Sequence, residues 1–369
     1  MMHMCCQKIC SKFVVFFLFG FAGCTMPSRI SMEGEGGRTS YNNAIQMTNS
    51  QQMLLNLVRL RYADSPLFLD VSSITTQSTV RSELAPVFSI PGFSKDNPFK
   101  LGGDISWQDQ PTITYTPLEG QAFATRLLRP IDLRTLQLLC YSGWDIDRVF
   151  WMMVQNFQEI WNDPDSEDAS QPAHQRFSEV SHLLRHFQKR GELQLGVQIN
   201  PKTEKDQDLH EHSLQIAFPV DGVEGSRLAE LIKCDQLVNG RYLKNVELGF
   251  SNGGHMGVMP RSIFSCMAYL SRGVQVPQEH IDRGMVRISE SNHHEEEEWG
   301  EVFRGLIAVR WNRFAPKNAF IAVQYRNYWF YIDDCDMHSK KTFALLLQLY
   351  NLNANEANIR GPILTLPLG

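Results

Sequence analysis

From Tyr41 to Tyr62, apolar residues at Ala44, Met47, Leu54, Leu57, Val58 and Leu60 recur at helical spacing, which predicts one helix or two short ones, with Asn49 or Ser50 as internal caps. Pro66 ends that pattern. The stretch from Leu67 to Val87 is rich in Val, Ile, Ser and Thr and predicts strands. A loop with Pro91, Gly92, Pro98, Gly102 and Gly103 follows. Ile105/Trp107 and Ile113/Tyr115 then alternate around Asp109-Gln110-Pro111, predicting a hairpin that turns there.

The period changes to 3.6 from Leu118 to Trp161, so that segment reads as core-facing helices broken by Pro130 and Gly143. The third of these begins after Asp145 as N-cap and carries Ile146, Val149, Phe150, Met153, Val154, Phe157 and Trp161. Phe177, Val180, Leu183, Leu184 and Phe187 predict a further helix ending near Gly191. In the second half, Leu193–Ile199 and Ser213–Val220 read as paired strands, Gly225–Leu237 as a helix, Val246–Phe250 as a strand and Arg261–Leu270 as a helix. Leu306–Trp311, Ala319–Tyr325 and Tyr328–Ile332 read as successive antiparallel strands, the last two joined at Arg326-Asn327, and Ser339 as the cap of a final helix. Strands and helices in mixed order with hairpin-length connections predict an α+β fold of mainly antiparallel strands packed with amphipathic helices. A boundary near 165–172 would separate residues 41–165 from 172–369, unless both belong to one continuous domain.

Residues 1–23 follow a different logic. Lys8 and Lys12 precede the apolar run Phe13–Phe21, which ends in Ala22 and Gly23: a charged segment, an apolar segment and a cleavage site in order. The run is about half the roughly 20 residues a membrane-spanning helix requires. Phe21-Ala22-Gly23-Cys24 resembles the lipobox of bacterial lipoproteins, with Phe21 standing where that family usually has an aliphatic residue. The resemblance implies cleavage before Cys24, acylation of its thiol and, with Thr25 in place of the Asp that retains such proteins at the inner membrane, attachment to the outer membrane facing the periplasm. The alternative is an ordinary secretory signal with an incidental cysteine. Residues 24–40, rich in Gly and Ser, read as a flexible tether.

Gln52-Met53-Leu54-Leu55-Asn56-Leu57-Val58-Arg59-Leu60-Arg61-Tyr62 and Tyr325-Arg326-Asn327-Tyr328-Trp329-Phe330-Tyr331-Ile332-Asp333-Asp334 are similar to segments of uncharacterised predicted lipoproteins of Gram-negative bacteria. That resemblance implies the same envelope address and assigns no catalytic residue.

Composition changes the picture little. With 43% hydrophobic and 20% charged residues among 369, the chain can build a sizeable core. The net charge of −5, and the lack of a Lys/Arg stripe interleaved with aromatics, exclude the electrostatic footprint of a nucleic-acid binder. Beyond the leader, Cys140, Cys234, Cys266 and Cys335 stand singly, without the CxxC pairs of zinc ribbons and redox motifs. Cys140 and Cys266 sit in apolar helical patterns that suit buried free thiols.

Three segments carry groups capable of chemistry. Asp333, Asp334 and Asp336 follow a strand and could bring carboxylates together for a cation or a proton transfer, although turns and helix caps use the same residues. The glycine-rich segment 249–257, with His255 and with Arg261 beyond it, could offer a ligand site before a helix, but matches neither GxxxxGK[ST] nor GxGxxG. His293 and His294 precede four glutamates; a contiguous run splays its side chains, so a solvated loop competes with a metal site. GxSxG, HExxH and SxxK are absent. No cofactor is expected. The reading is therefore a lipid-anchored envelope protein that binds other envelope proteins as a non-enzymatic scaffold in an outer-membrane or secretion-type assembly. The alternative is a periplasmic hydrolase or metal-dependent enzyme acting on cell-wall, lipid or glycan material through the three aspartates.

Overall fold

The computed structural model describes residues 38–85, 102–162, 173–200, 211–220, 222–249, 255–286, 303 and 305–354. Cys24, His293 and His294 lie outside them. Residues 1–50 and 51–369 form separate units. The described part of the first is the opening stretch of one continuous helix, α1 (Arg38–Arg61); the architecture below is that of the second.

The fold is α+β with mainly antiparallel strands. After α1, the β-prone stretch forms β1 (Leu69–Ala85), paired antiparallel with β2 (Gly102–Pro117) in a two-stranded ribbon of sixteen register pairs. The expected hairpin turning at Asp109–Pro111 does not form: those residues continue β2, and Pro111 stands opposite Thr76. Both strands of a two-stranded ribbon are edge strands, where proline is tolerated, so the turn signal of Asp-Gln-Pro is overridden.

Pro130 and Gly143 separate α2 (Gln121–Leu128), α3 (Leu133–Tyr141) and α4 (Ile146–Met153) as their punctuation predicts. Asp132 caps α3 by accepting from Arg134 N at 3.2 Å. Asp145 precedes α4, but its carboxylate pairs with Arg185 and caps no backbone N–H. The expected continuation of α4 to Trp161 is replaced by a tight hairpin, β3 (Val154–Phe157) and β4 (Ile160–Trp161), turning at Gln158 with φ 50°. The apolar spacing 153, 154, 157, 161 suits a helix equally well. Pairing of Val154 and Asn156 with the sheet decides for strand.

That sheet takes in α5 (Ala173–Lys189) as cover, β5 (Gln194–Asn200), β6 (Glu211–Pro219), α6 (Val223–Leu231), β7 (Leu237–Val238), β8 (Arg241–Leu248) and β9 (Met256–Pro260). Its order is β4-β3-β9-β8-β6-β5, with β7 also on β8, and only β8–β9 is parallel. Strands on both sides of residues 163–172 thus share one sheet. Phe177 of α5 packs its ring against Trp151 and Phe157 at 5.0 and 5.3 Å, and is fully buried. The free edge at β5 is partly covered by α3, since Tyr141 OH and Gln137 Nε2 both donate to Leu195 O.

The chain continues through α7 (Ile263–Ser271) and α8 (Gln278–Asp282) to a three-stranded sheet of order β10-β12-β11: β10 (Arg310–Asn312), β11 (Ala319–Tyr325) and β12 (Tyr328–Asp333). The turn between β11 and β12 is the two-residue one expected at Arg326-Asn327, both with positive φ, the geometry that suits strand twist. Tyr328, Phe330 and Ile332 alternate into the core, and the last helix, α9 (Met337–Ala354), buries Phe343, Leu345, Leu346 and Leu349. Each such side chain contributes about 1.5–3 kcal/mol on burial. No helix of the described residues is long and apolar enough to cross a membrane.

Candidate functional site

At the foot of the ribbon, Gln52 and Asn56 stand one helical turn apart on α1 and grip the chain entering β1. Asn56 Nδ2 donates to Leu67 O at 2.7 Å while Leu67 N donates to Asn56 Oδ1 at 3.0 Å. Gln52 repeats the pattern with Leu69, at 3.2 and 2.8 Å. Two amides thus imitate a neighbouring strand. Between them Phe68 is buried, its ring stacked on Tyr350 at 5.1 Å and edge-on to Phe123 at 5.6 Å, and Phe68 O accepts from Leu118 N at 2.9 Å where β2 returns. The ribbon therefore leaves the body from a base tied to α1, α2 and α9.

A second constellation joins the end of α1 to α8 and to the β11–β12 hairpin. Tyr62, just after α1, is buried; its hydroxyl lies 2.7 Å from His280 Nδ1 on α8, and its ring meets those of His280, Tyr325 and Phe330 at 5.6, 5.4 and 6.1 Å. Desolvation pushes the Tyr62 phenol up to about 12 and holds His280 below its ordinary value. The Tyr62 hydroxyl and His280 Nδ1 share one hydrogen bond, and His280 Nε2 lies 3.8 Å from Glu279 Oε1. Outside this layer Asp64 accepts from Tyr325 OH and pairs with Arg326 at 2.9 Å, and the hydrogen bond from Tyr325 holds its carboxyl below the usual range. The Arg326 guanidinium sits 5.0 Å from the Tyr62 ring centre. The chemistry is that of a satisfied, partly desolvated clasp between residues more than 260 positions apart.

The groups named from sequence are separated by the fold. Asp333 accepts from Cys335 N at 2.9 Å and faces Arg310 at 3.4 Å; Asp334 pairs with Lys340 at 2.7 Å; Asp336 caps α9, accepting from Ser339 N at 3.1 Å and Ser339 Oγ at 2.6 Å. Each carboxylate is met by a local donor, in the turn and capping roles that compete with catalysis. Among the described residues, no three His, Cys, Asp or Glu side chains gather as metal ligands.

His255 lies at the start of β9 with Nδ1 3.1 Å from Glu247 Oε1 on β8. Arg261 is buried and engaged: Nη1 donates to Val154 O at 2.7 Å and Trp151 O at 3.2 Å, Nη2 to Asn162 O at 2.9 Å, and the guanidinium lies 3.9 Å from the Tyr269 ring centre. It ties the β3–β4 hairpin to the end of β9 opposite His255. Arg148 is a comparable pin, donating to His338 O at 2.9 Å and to Thr342 Oγ1 across α4 and α9. Cys140, Cys234 and Cys266 are buried free thiols and Cys335 an exposed one; burial pushes Cys140 and Cys266 up to about 12, far from thiolate reactivity.

The sequence reading passed over Gln52, Asn56, Tyr62 and His280. A visible signal existed at Asn56: an amide amid Met53, Leu54, Leu57 and Val58, all buried, has to find partners. His280 carried no such mark, because its partners come from the two ends of the chain.

No protein-family model, curated protein or solved structure matches the chain.

Proposed function

We propose that this chain is a lipid-anchored protein of the bacterial outer membrane, held through Cys24 and facing the periplasm, that binds other envelope proteins as a scaffold component of an outer-membrane or secretion-type assembly. The observation that carries the binding role is the β1–β2 ribbon. Sixteen register pairs at about 3.3 Å per residue make an element about 50 Å long. An isolated two-stranded ribbon is marginal in water. This one pairs with no further strand among the described residues, yet its foot is fastened by four amide–backbone hydrogen bonds and a buried phenylalanine. A fastened base under a long ribbon that no further described strand joins suits contact with another molecule. The hydrolase reading has less support, because Asp333, Asp334 and Asp336 each serve the turn or the helix they adjoin.

The test is cross-linking in intact envelopes, comparing the full chain with a variant in which residues 73–114 are replaced by a two-residue turn. The proposal expects the variant to stay folded and membrane-attached but to lose the proteins, including copies of itself, retrieved with the full chain. An unchanged set of cross-linked products would contradict it.

A further inference from the structure

The three-stranded sheet has an open edge at β11. Its order β10-β12-β11 leaves β11 with one neighbour, and the turn at Arg326-Asn327 fixes which residues that neighbour uses. Tyr325 pairs with Tyr328 across the turn, so Tyr325, Val323 and Ile321 bond to β12 and the residues between them do not. Ala322 and Gln324 therefore direct their N–H and C=O groups outward, where no hydrogen bond meets them among the described residues. Gln324 is exposed and Ala322 partly buried.

Two other sheet edges are closed. Beside β10, Val309 N donates to Gly273 O at 3.0 Å and Val309 O accepts from Gln275 N at 2.9 Å. At β5, Tyr141 OH and Gln137 Nε2 occupy Leu195 O. A strand left open is ordinarily guarded by a charge, a proline or a bulge. β11 carries neither charge nor proline from Ala319 to Tyr325, and its register shift lies before Ile321. The edge also offers apolar surface: Ile321 and Val323 turn into the core, while Phe320 is 43% exposed with its ring 6.5 Å from that of Phe343. A strand laid beside β11 would gain backbone hydrogen bonds and a place for an apolar side chain against Phe320.

Charge selects the occupant. Between residues 305 and 332 the chain holds Arg310, Arg313, Lys317 and Arg326 and no aspartate or glutamate. Asp333, Glu279 and Asp64 approach the three arginines from elsewhere in the fold, at 3.4, 3.8 and 2.9 Å. Lys317, exposed just before β11, is met by no acid among the described residues. A second copy of this chain fits poorly, because two-fold antiparallel pairing centred on Ala322 or Val323 sets Lys317 of one chain beside Arg326 of the other, like charge against like. A strand with a carboxylate level with Lys317 brings the opposite sign.

We infer that β11 is a docking edge for an extended, acid-bearing strand of another protein, which joins the sheet through Ala322 and Gln324 and sets a carboxylate beside Lys317. The pairing needs neither the ribbon nor the lipid anchor.

Hydrogen exchange on the purified full chain is the first test. The amides of Ile321 and Val323 should exchange slowly and those of Ala322 and Gln324 quickly; slow exchange at all four means that the chain covers its own edge and overturns the inference. In intact cells, the full chain with Gln324→p-benzoylphenylalanine is then irradiated and the cross-linked peptide mapped by mass spectrometry. The expected product is one acid-containing segment of another protein. Adding Ala322→Pro, which removes an outward N–H and no bond to β12, should abolish it; Ala322→Ser should keep it, and Lys317→Glu should reduce it several-fold. Protection of buried Cys266 from maleimide reports that each variant is folded. The product should persist when residues 73–114 are replaced by a short turn, which separates this edge from any contact the ribbon makes. No product, a product indifferent to Ala322→Pro, or one formed with lipid, with a second copy or with this chain's own residues overturns the inference.

Discussion

Asn56 shows how one residue can set the direction of an entire element. It is fully buried, and both polar atoms of its amide are matched to Leu67. Asn56→Ala leaves the part-buried N–H and C=O of Leu67 without these partners, at a cost of about 1–2 kcal/mol each. The expected outcome is a loss of about 2–4 kcal/mol in urea denaturation, with proteolysis at the foot of β1 rising before the core unfolds; a change under about 0.5 kcal/mol would contradict the role assigned here. His280 carries a second expectation. Burial depresses its folded-state value, so the unfolded chain binds the proton more readily. The stability this buried neutral ring confers is fully present above the unfolded value of about 6.5 and is lost as pH falls through that value toward the depressed folded one. Measured between pH 7.5 and 5, the denaturation midpoint of the native chain should fall, and His280→Gln should flatten that slope.

At the scale of elements, punctuation was more legible than termini. Pro130, Gly143 and Gly191 divided the helices where the chain divides them, and Arg326-Asn327 marked the hairpin turn, because these residues act through their own backbone. Ser339 was expected to cap the last helix, but that helix begins at Met337 and Asp336 caps it, and two other departures share one reason: their local pattern was ambiguous and a distant partner decided. Val154–Trp161 fits a helix by spacing but pairs with β9, and Asp109-Gln110-Pro111 reads as a turn but continues a strand opposite Ser78, Gln77 and Thr76. Arg261 holds the first of these in place, so Arg261→Met, which takes a charged donor from two buried carbonyls and one part-buried one, is expected to cost about 2–3 kcal/mol. Arg261→Lys should recover only part of that, since one ammonium cannot reproduce the planar fork. Denaturation midpoints of both variants, with Cys266 accessibility as the local probe, check it: its thiol donates to Met152 O nearby.

Across the whole molecule, sequence and structure speak to different halves of the account. The α+β class and the mainly antiparallel pairing follow from the order of patterns along the chain. The candidate site did not follow in the same way, since Gln52, Asn56, Tyr62, His280 and Tyr325 acquire their meaning from contacts across long stretches of sequence. Tyr62 and Asp64 meet Tyr325 and Arg326 there, so the chain just after α1 is locked onto the C-terminal sheet. The scaffold role we propose depends on the chain being held at a membrane. The most direct measurement is therefore the intact mass and membrane fractionation of the full chain beside Cys24→Ser. The account predicts a native chain cleaved before residue 24, carrying acyl groups and sedimenting with the outer membrane, and a variant that lacks the acyl mass and is released; an unmodified native chain whose location the substitution leaves unchanged would contradict it.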